Sequence, residues 1–276
     1  MKRVPGKTAG TDERAFERLT LNERLQHGVL VLSFTTLVIT GIPVRYHDSV
    51  WAGWLFTLMG GPVGRAMLHR LAAIALVLLS GYHVCYLLFS ERGHFEVRAL
   101  IPRAQDARDA VHHMLYYVGR RPSPPAFGRF SYVEKFEYLA VVWGTAVMAA
   151  TGALLWFEVQ AMMVLPKWVL DICRIVHGYE AVLAALAIII WHMYCVHLRP
   201  GTFPMSRTWL DGRITETEMK HHHPLEYEEI RRQQPQAPPP NGGDGRPRGG
   251  AAAEAGLAAP HRAAAEAPAS RKEDRR

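Results

Sequence analysis

The chain has 276 residues, 32 basic against 25 acidic side chains and a net charge of +7, and its mean hydropathy lies near zero. Those averages describe a soluble basic protein, but they pool four strongly apolar runs within residues 25–198 with a charged, Pro- and Gly-rich remainder. The basic excess lacks the interleaved base-stacking aromatics that a nucleic-acid binder needs, so neither a soluble globular fold nor nucleic-acid binding fits.

Residues 1–24 are a charged segment, and no cleavable signal peptide is expected because the first apolar run is already full length. The runs are LQHGVLVLSFTTLVITGIPV (25–44), LHRLAAIALVLLSGYHVCYLLF (68–89), YLAVVWGTAVMAATGALLWF (138–157) and VHGYEAVLAALAIIIWHMYCVHL (176–198). Each holds about 20 residues, roughly 30 Å of helix, the thickness of a bilayer's hydrocarbon core. They predict an all-α membrane protein, a four-helix bundle over 25–198 with four unbroken spans and no evident internal repeat.

Between the second and third spans, AQDARDAVHHMLYYVG (104–119) repeats Ala107, Val111, Met114, Leu115 and Val118 at helical spacing. That pattern predicts an amphipathic helix on the membrane surface. His112 and His113 lie within it about 100° apart, too divergent to chelate one ion. RRPSPPAFGRF (120–130) reads as a loop entering the third span. Residues 199–232 form a juxtamembrane segment, in which HHHP (221–224) is expected to be a solvated surface run. The Pro-, Gly- and Ala-rich stretch 233–276 cannot build a core and is expected to be disordered.

Charge predicts the orientation. Lys and Arg number six in 1–24, eight in 91–137 and six in 199–232, against two each in the 45–67 and 158–175 loops. By the positive-inside rule both termini and the long middle loop are cytoplasmic. Cys85, Cys173 and Cys195 form no C-x-x-C or C-x-x-C-H pattern, which excludes covalent c-type haem, and they read as small apolar residues.

Histidines stand at membrane depth, where ionisable groups are costly. His27 opens the first span, His69 and His83 lie in the second, and His177, His192 and His197 in the fourth. The topology sets His69 and His177 at the outer level, and His27, His83 and His192 at the inner level. His69 and His83 are 14 residues apart, close to four turns, and His177 and His192 are 15 apart, about 60° from alignment. His197 points away and is expected to snorkel at the surface. Histidines at matching depths on facing helices make two clamps, about 21 Å apart along the axis. A b-type haem needs only one axial imidazole on each side. Zinc would want three or four ligands at one level. Gly28, Gly41, Gly81, Gly144, Gly152 and Gly178 dot the spans, as a flat macrocycle or ordinary small-residue helix packing would require.

The segments ERLQHGVLVLSFTTLVITG, RAMLHRLAAIALVLLSGYH, RFSYVEKFEYLAVVWGTAVMAATGALLW, IVHGYEAVLAALAIIIWHMY and RTWLDGRITETEMKHHHPLEYEEI resemble the membrane cytochrome b subunits of bacterial respiratory formate dehydrogenases, to which those of hydrogenases and thiosulfate reductases are related. The resemblance spans residues 20–230. It implies a four-helix bundle with two haem b groups, passing electrons between a periplasmic or membrane-bound redox subunit (an iron–sulfur or multihaem protein) and menaquinone or ubiquinone. It implies His69 and His177 for the outer haem and His27 and His192 for the inner one, with His83 as the rival inner ligand. It also implies a quinone site near the segment before the third span. There the family carries amide side chains, and this chain has Ser131 and Glu134, with Lys135 retained. Glu134 or Glu137 could move protons, although a solvated ion pair with Lys135 is the plainer expectation.

The expected function is thus a di-haem cytochrome b of the cytoplasmic membrane, the electron-transfer and quinone-reactive subunit of an oxidoreductase complex. The rivals are a membrane anchor or assembly subunit with one or no functional haem, and a histidine-dependent proton or metal transporter. A transporter would be expected to show inverted halves and broken helices.

Overall fold

The computed structural model describes residues 13–200 and 202–233. The first 12 residues, and all but Gln233 of the stretch expected to be disordered, lie outside the described residues. In chain order the elements are β1 (Ala15–Glu17), α1 (Leu21–Arg45), α2 (Val50–Leu58), α3 (Gly61–Phe89), α4 (Glu91–Leu100), α5 (Ala104–Tyr117), α6 (Tyr132–Trp156), α7 (Glu158–Met162), α8 (Lys167–Leu186), α9 (Thr208–Asp211), β2 (Arg213–Thr215), α10 (Glu216–His222) and α11 (Pro224–Gln233). Beyond Leu186 the α8 path continues with π-helical winding over Ala187–His192 and Tyr194–Leu198. α1, α3, α6 and extended α8 are each long and apolar enough to cross a membrane. α5 occupies the place of the predicted amphipathic helix.

All four of these helices start several residues before their apolar runs, and local chemistry explains where three of them begin. Thr20 accepts from the Glu23 amide at 3.3 Å while the Glu23 carboxylate accepts from the Thr20 amide at 2.8 Å. Ser131 and Glu134 repeat this reciprocal arrangement at the head of α6, at 3.3 and 2.7 Å. Each box satisfies two amides that a helix start otherwise leaves unpaired. α3 begins at a turn where Gly60 and Gly61 take φ of 80° and 77°, which glycine tolerates without steric cost. Pro62 then supplies a pre-set φ for the first helical turn.

α1 packs chiefly on α3 and α6 on α8, with α1 also touching α8. Contacts fix the directions. The end of α3 meets the start of α1 through Tyr86–Glu23 (3.0 Å) and Tyr82–Asn22 (3.1 Å), and the start of α3 meets the end of α1 through His69–Thr40 (2.8 Å). The end of α6 likewise meets the start of α8 through Thr151–His177 (2.9 Å). The bundle therefore runs up-down-up-down. Its proximal end holds the start of α1, and its distal end holds α2 and α7. Large apolar side chains such as Leu32, Leu78, Trp143 and Ile189 point outward, as lipid rather than water demands.

The proximal end carries a folded cap in which the segments flanking the first and last spans, from residue 13 and within 202–233, meet. β1 pairs antiparallel with β2 in the register Ala15↔Thr215, Phe16↔Ile214 and Glu17↔Arg213. Beside them lies a buried ionic cluster. Arg18 donates to Glu226 at 2.5 Å and to the Arg129 carbonyl. Arg129 reaches Glu226 at 3.0 Å and grips Glu96 with two nitrogens at 2.6 and 2.8 Å. Arg92 adds a bond to Glu96 at 2.8 Å. Alternating charges with paired hydrogen bonds are what make such burial tolerable. His223, expected on a solvated run, is instead buried, donating Nδ1–H to the Gly128 carbonyl at 2.8 Å and accepting from Arg18 at 3.3 Å. His221 is exposed as expected, but a run of histidines gives no periodicity, and His223, which caps α10, turns inward.

Candidate haem site

At the distal level, His69 on α3 and His177 on α8 face one another with ring centroids 6.4 Å apart and planes at 64°. Two imidazoles sharing one metal, each bonded at about 2 Å, would hold their centroids about 6 Å apart. The observed spacing leaves room for an iron between them. Behind each ring stands a threonine: Thr40 Oγ1 lies 2.8 Å from His69 Nδ1, and Thr151 Oγ1 lies 2.9 Å from His177 Nδ1. The next residue is glycine in both cases. A Cβ added at Gly41 would stand 3.3 Å from His69 Cε1, and one at Gly152 would stand 3.1 Å from His177 Cε1. The rings thus lie against bare backbone of the neighbouring helix. Arg45, Arg65 and Arg70 ring this level, with Arg65 bonded to the Thr40 carbonyl at 3.2 Å and Arg70 over Trp156 at 5.1 Å. Three guanidinium groups suit the carboxylates on a porphyrin edge.

At the proximal level, His27 on α1 and His192 on the π-helical extension of α8 are close enough to interact electrostatically. His27 Nδ1 is buried without a hydrogen-bond partner, and Trp209 of α9 covers the ring edge-on at 6.0 Å. His192 Nδ1 is 3.7 Å from Glu137 Oε2. The π winding matters here. An i→i+5 ladder turns less per residue than an α-helix, which removes much of the 60° offset expected between His177 and His192.

His83 sits differently. Its Nδ1 meets Gln26 Oε1 at 2.7 Å and its Nε2 meets the Tyr138 hydroxyl at 3.1 Å. The Gln26 amide nitrogen points to Asn22 Oδ1 at 3.3 Å, which fixes its oxygen toward His83. Both ring nitrogens are therefore occupied by protein groups.

Residues 18–202 match the family of prokaryotic cytochrome b561. The chain belongs to that family. It is also 22% identical over 218 residues to the cytochrome b556(fdo) subunit of formate dehydrogenase from Escherichia coli K12, covering 78% of this chain and 93% of that subunit. The same figures hold for the subunits of that name from strains O6:H1 and O157:H7. This membrane cytochrome b is thus a multi-pass helical protein of electron transfer, and its histidine pairs and the glycines beside the distal rings fit haem b.

In this cytochrome b the three residues expected at a quinone site are already engaged. Ser131 and Glu134 form the α6 capping box. Lys135 binds both carboxylate oxygens of Asp106 on α5, at 2.8 and 2.9 Å, instead of pairing with Glu134 in solvent. Among the described residues four other proximal atoms lack partners: Arg24 Nε, Glu137 Oε1, Arg199 Nε and His222 Nε2. Arg199 Nη2 contacts His222 Nδ1 at 2.8 Å. Burial, then the Arg199 charge, holds the His222 imidazole down at about 4, so the ring is neutral and its Nε2–H is a free donor. Among the described residues no group of three or more His, Cys, Asp or Glu is placed to hold a metal ion. His112 bonds the Ser123 carbonyl and His113 the Tyr132 hydroxyl, in different directions. Sequence reading missed Thr40 and Thr151, although the Thr-Gly pair they begin occurs in two spans and was visible.

Proposed function

We propose that this cytochrome b carries two haem b groups and passes electrons across the cytoplasmic membrane between a periplasmic redox subunit and the quinone pool. The observation that carries the reading is the stacking of two histidine pairs at opposite ends of one bundle. His69 and His177 would hold the distal haem, and His27 and His192 the proximal one. The haems supply reversible one-electron chemistry at iron, and the protein supplies ligands, separation and a low dielectric. His83 is not a ligand in this reading, since protein groups use both its nitrogens. The Lys and Arg excess on the proximal segments supports a cytoplasmic proximal end, and so a periplasmic distal end for the partner.

A quinone head group would meet the chain at the proximal end. Arg199 Nε–H and His222 Nε2–H are donors suited to a carbonyl oxygen, and Glu137 Oε1 is an acceptor suited to a quinol hydroxyl. Cys195 lies within electrostatic reach of both Glu137 and Arg199, which supports their closeness. Ser131, Glu134 and Lys135 would support this site from behind, by starting α6 and tying it to α5.

The test is haem reduction by a soluble quinol analogue in detergent-purified full chain. Wild type reduces readily, and Arg199→Met and His222→Phe, with unchanged haem content, slow at least tenfold. Equal rates in all three would remove the quinone assignment.

A further inference from the structure

The distal histidines are held by two copies of one device, and its hydrogen-bond logic is closed. Thr40 Oγ1 lies 2.6 Å from the Thr36 carbonyl and Thr151 Oγ1 lies 2.7 Å from the Val147 carbonyl, four residues back in each helix. A carbonyl only accepts, so each hydroxyl spends its proton there. The hydroxyl oxygen can then only accept from the imidazole, which forces the proton of His69 and of His177 onto Nδ1 and leaves Nε2 with the lone pair. Helix backbone thus dictates which nitrogen of each ring is offered to a metal. The glycine that follows each threonine lets the ring approach the neighbouring helix, so ring rotation is blocked on one side by backbone and on the other by the bond. No water competes for these bonds inside a bilayer.

We propose that Thr40 and Thr151 are positioning residues that fix the tautomer and the crossed 64° orientation of the two distal imidazoles, a role that rests on His69 and His177 being haem ligands. Two properties follow. A bond from Nδ1–H to an acceptor raises the basicity of the ligating nitrogen, which favours ferric iron and holds the potential down. The angle between two axial imidazole planes sets the splitting of the iron d orbitals, and steeply crossed planes give a strongly anisotropic low-spin resonance.

The experiment compares Thr40→Val and Thr151→Val with Thr40→Ser and Thr151→Ser in the full chain. It reads haem content, the two midpoint potentials and the ferric electron paramagnetic resonance spectrum. The valine variants should raise one potential, leave the other in place and shift one low-spin signal, and the serine variants should match wild type. Loss of a single haem in the valine variants, with both retained in serine, would support the same role. Valine variants with wild-type potentials and spectra would overturn it, as would equal damage by valine and serine, which would reduce the threonines to packing. A wild type with fewer than two haems would instead defeat the two-haem reading itself.

Discussion

His69 and His177, more than 100 residues apart in the chain, meet across the bundle with their rings 6.4 Å apart, and each is held by a threonine of a neighbouring helix, Thr40 on α1 and Thr151 on α6. The pairing joins the α1–α3 hairpin to the α6–α8 hairpin at one level. In the proposed arrangement, removing either ring would leave the distal haem one protein ligand instead of two. His69→Ala and His177→Ala should each bind half the wild-type haem, read as haem per protein on purified material, with the proximal potential unchanged.

His83 separates two readings of the proximal level. With Gln26 and Tyr138 on its two nitrogens, His83→Gln should keep both haems and lose only some stability, about 1 kcal/mol or somewhat more for imperfectly replaced buried bonds. His27→Ala should lose the proximal haem. A haem count on the two variants decides the matter, since loss in His83→Gln alone would make His83 the ligand.

The buried cluster of Arg18, Glu96, Arg129 and Glu226 joins the segment before α1, α4, the loop before α6 and α11. Arg129→Met removes the cation that Glu96 and Glu226 share, leaving Glu96 to Arg92 and Glu226 to Arg18. Removing one partner of a buried ionic network costs about 3–5 kcal/mol. Hydrogen exchange of residues 213–233 should rise sharply in this variant, while the amides of α3 and α6 stay protected. Unchanged exchange in the cap would mean that the cluster is dispensable.

Acid should loosen the same cap. Burial, then nearby positive charge, depresses both imidazoles: Arg199 beside His222, which sits at about 4, and Arg18 beside His223. Between about 4 and the ordinary 6.5 the unfolded chain binds protons that the folded cap does not, so stability rises with pH through that window. It is fully present above 6.5 and falls as the solution is acidified below it. His222 is partly exposed, which weakens its share. Proteolysis within residues 202–233 should quicken from pH 7 to pH 5, and His223→Gln should flatten that dependence.

Much of this architecture is written in local sequence. Twenty-residue apolar runs and histidines at matching depths were enough to lay out the bundle and its two levels. The helix starts were equally legible in Thr20–Glu23 and Ser131–Glu134, whose spacing marks a capping box, but an apolar scan stops where charges begin. Three features were beyond such reading. The cap depends on Ala15–Glu17 finding Arg213–Thr215 across some 200 residues, and no periodicity encodes a partner that distant. The π winding over Ala187–His192 has no signal in its residues, since Ala187–Trp191 is an ordinary apolar run. The engagement of Lys135 with Asp106 needed the fold of α5 over α6.

The most direct measurement is the haem-to-protein ratio of the detergent-purified full chain by pyridine haemochrome, followed by redox titration. Two b haems per chain, titrating at two distinct potentials, is the expected result. One haem or none in correctly inserted protein would contradict the two-level arrangement and return the chain to the role of an anchor.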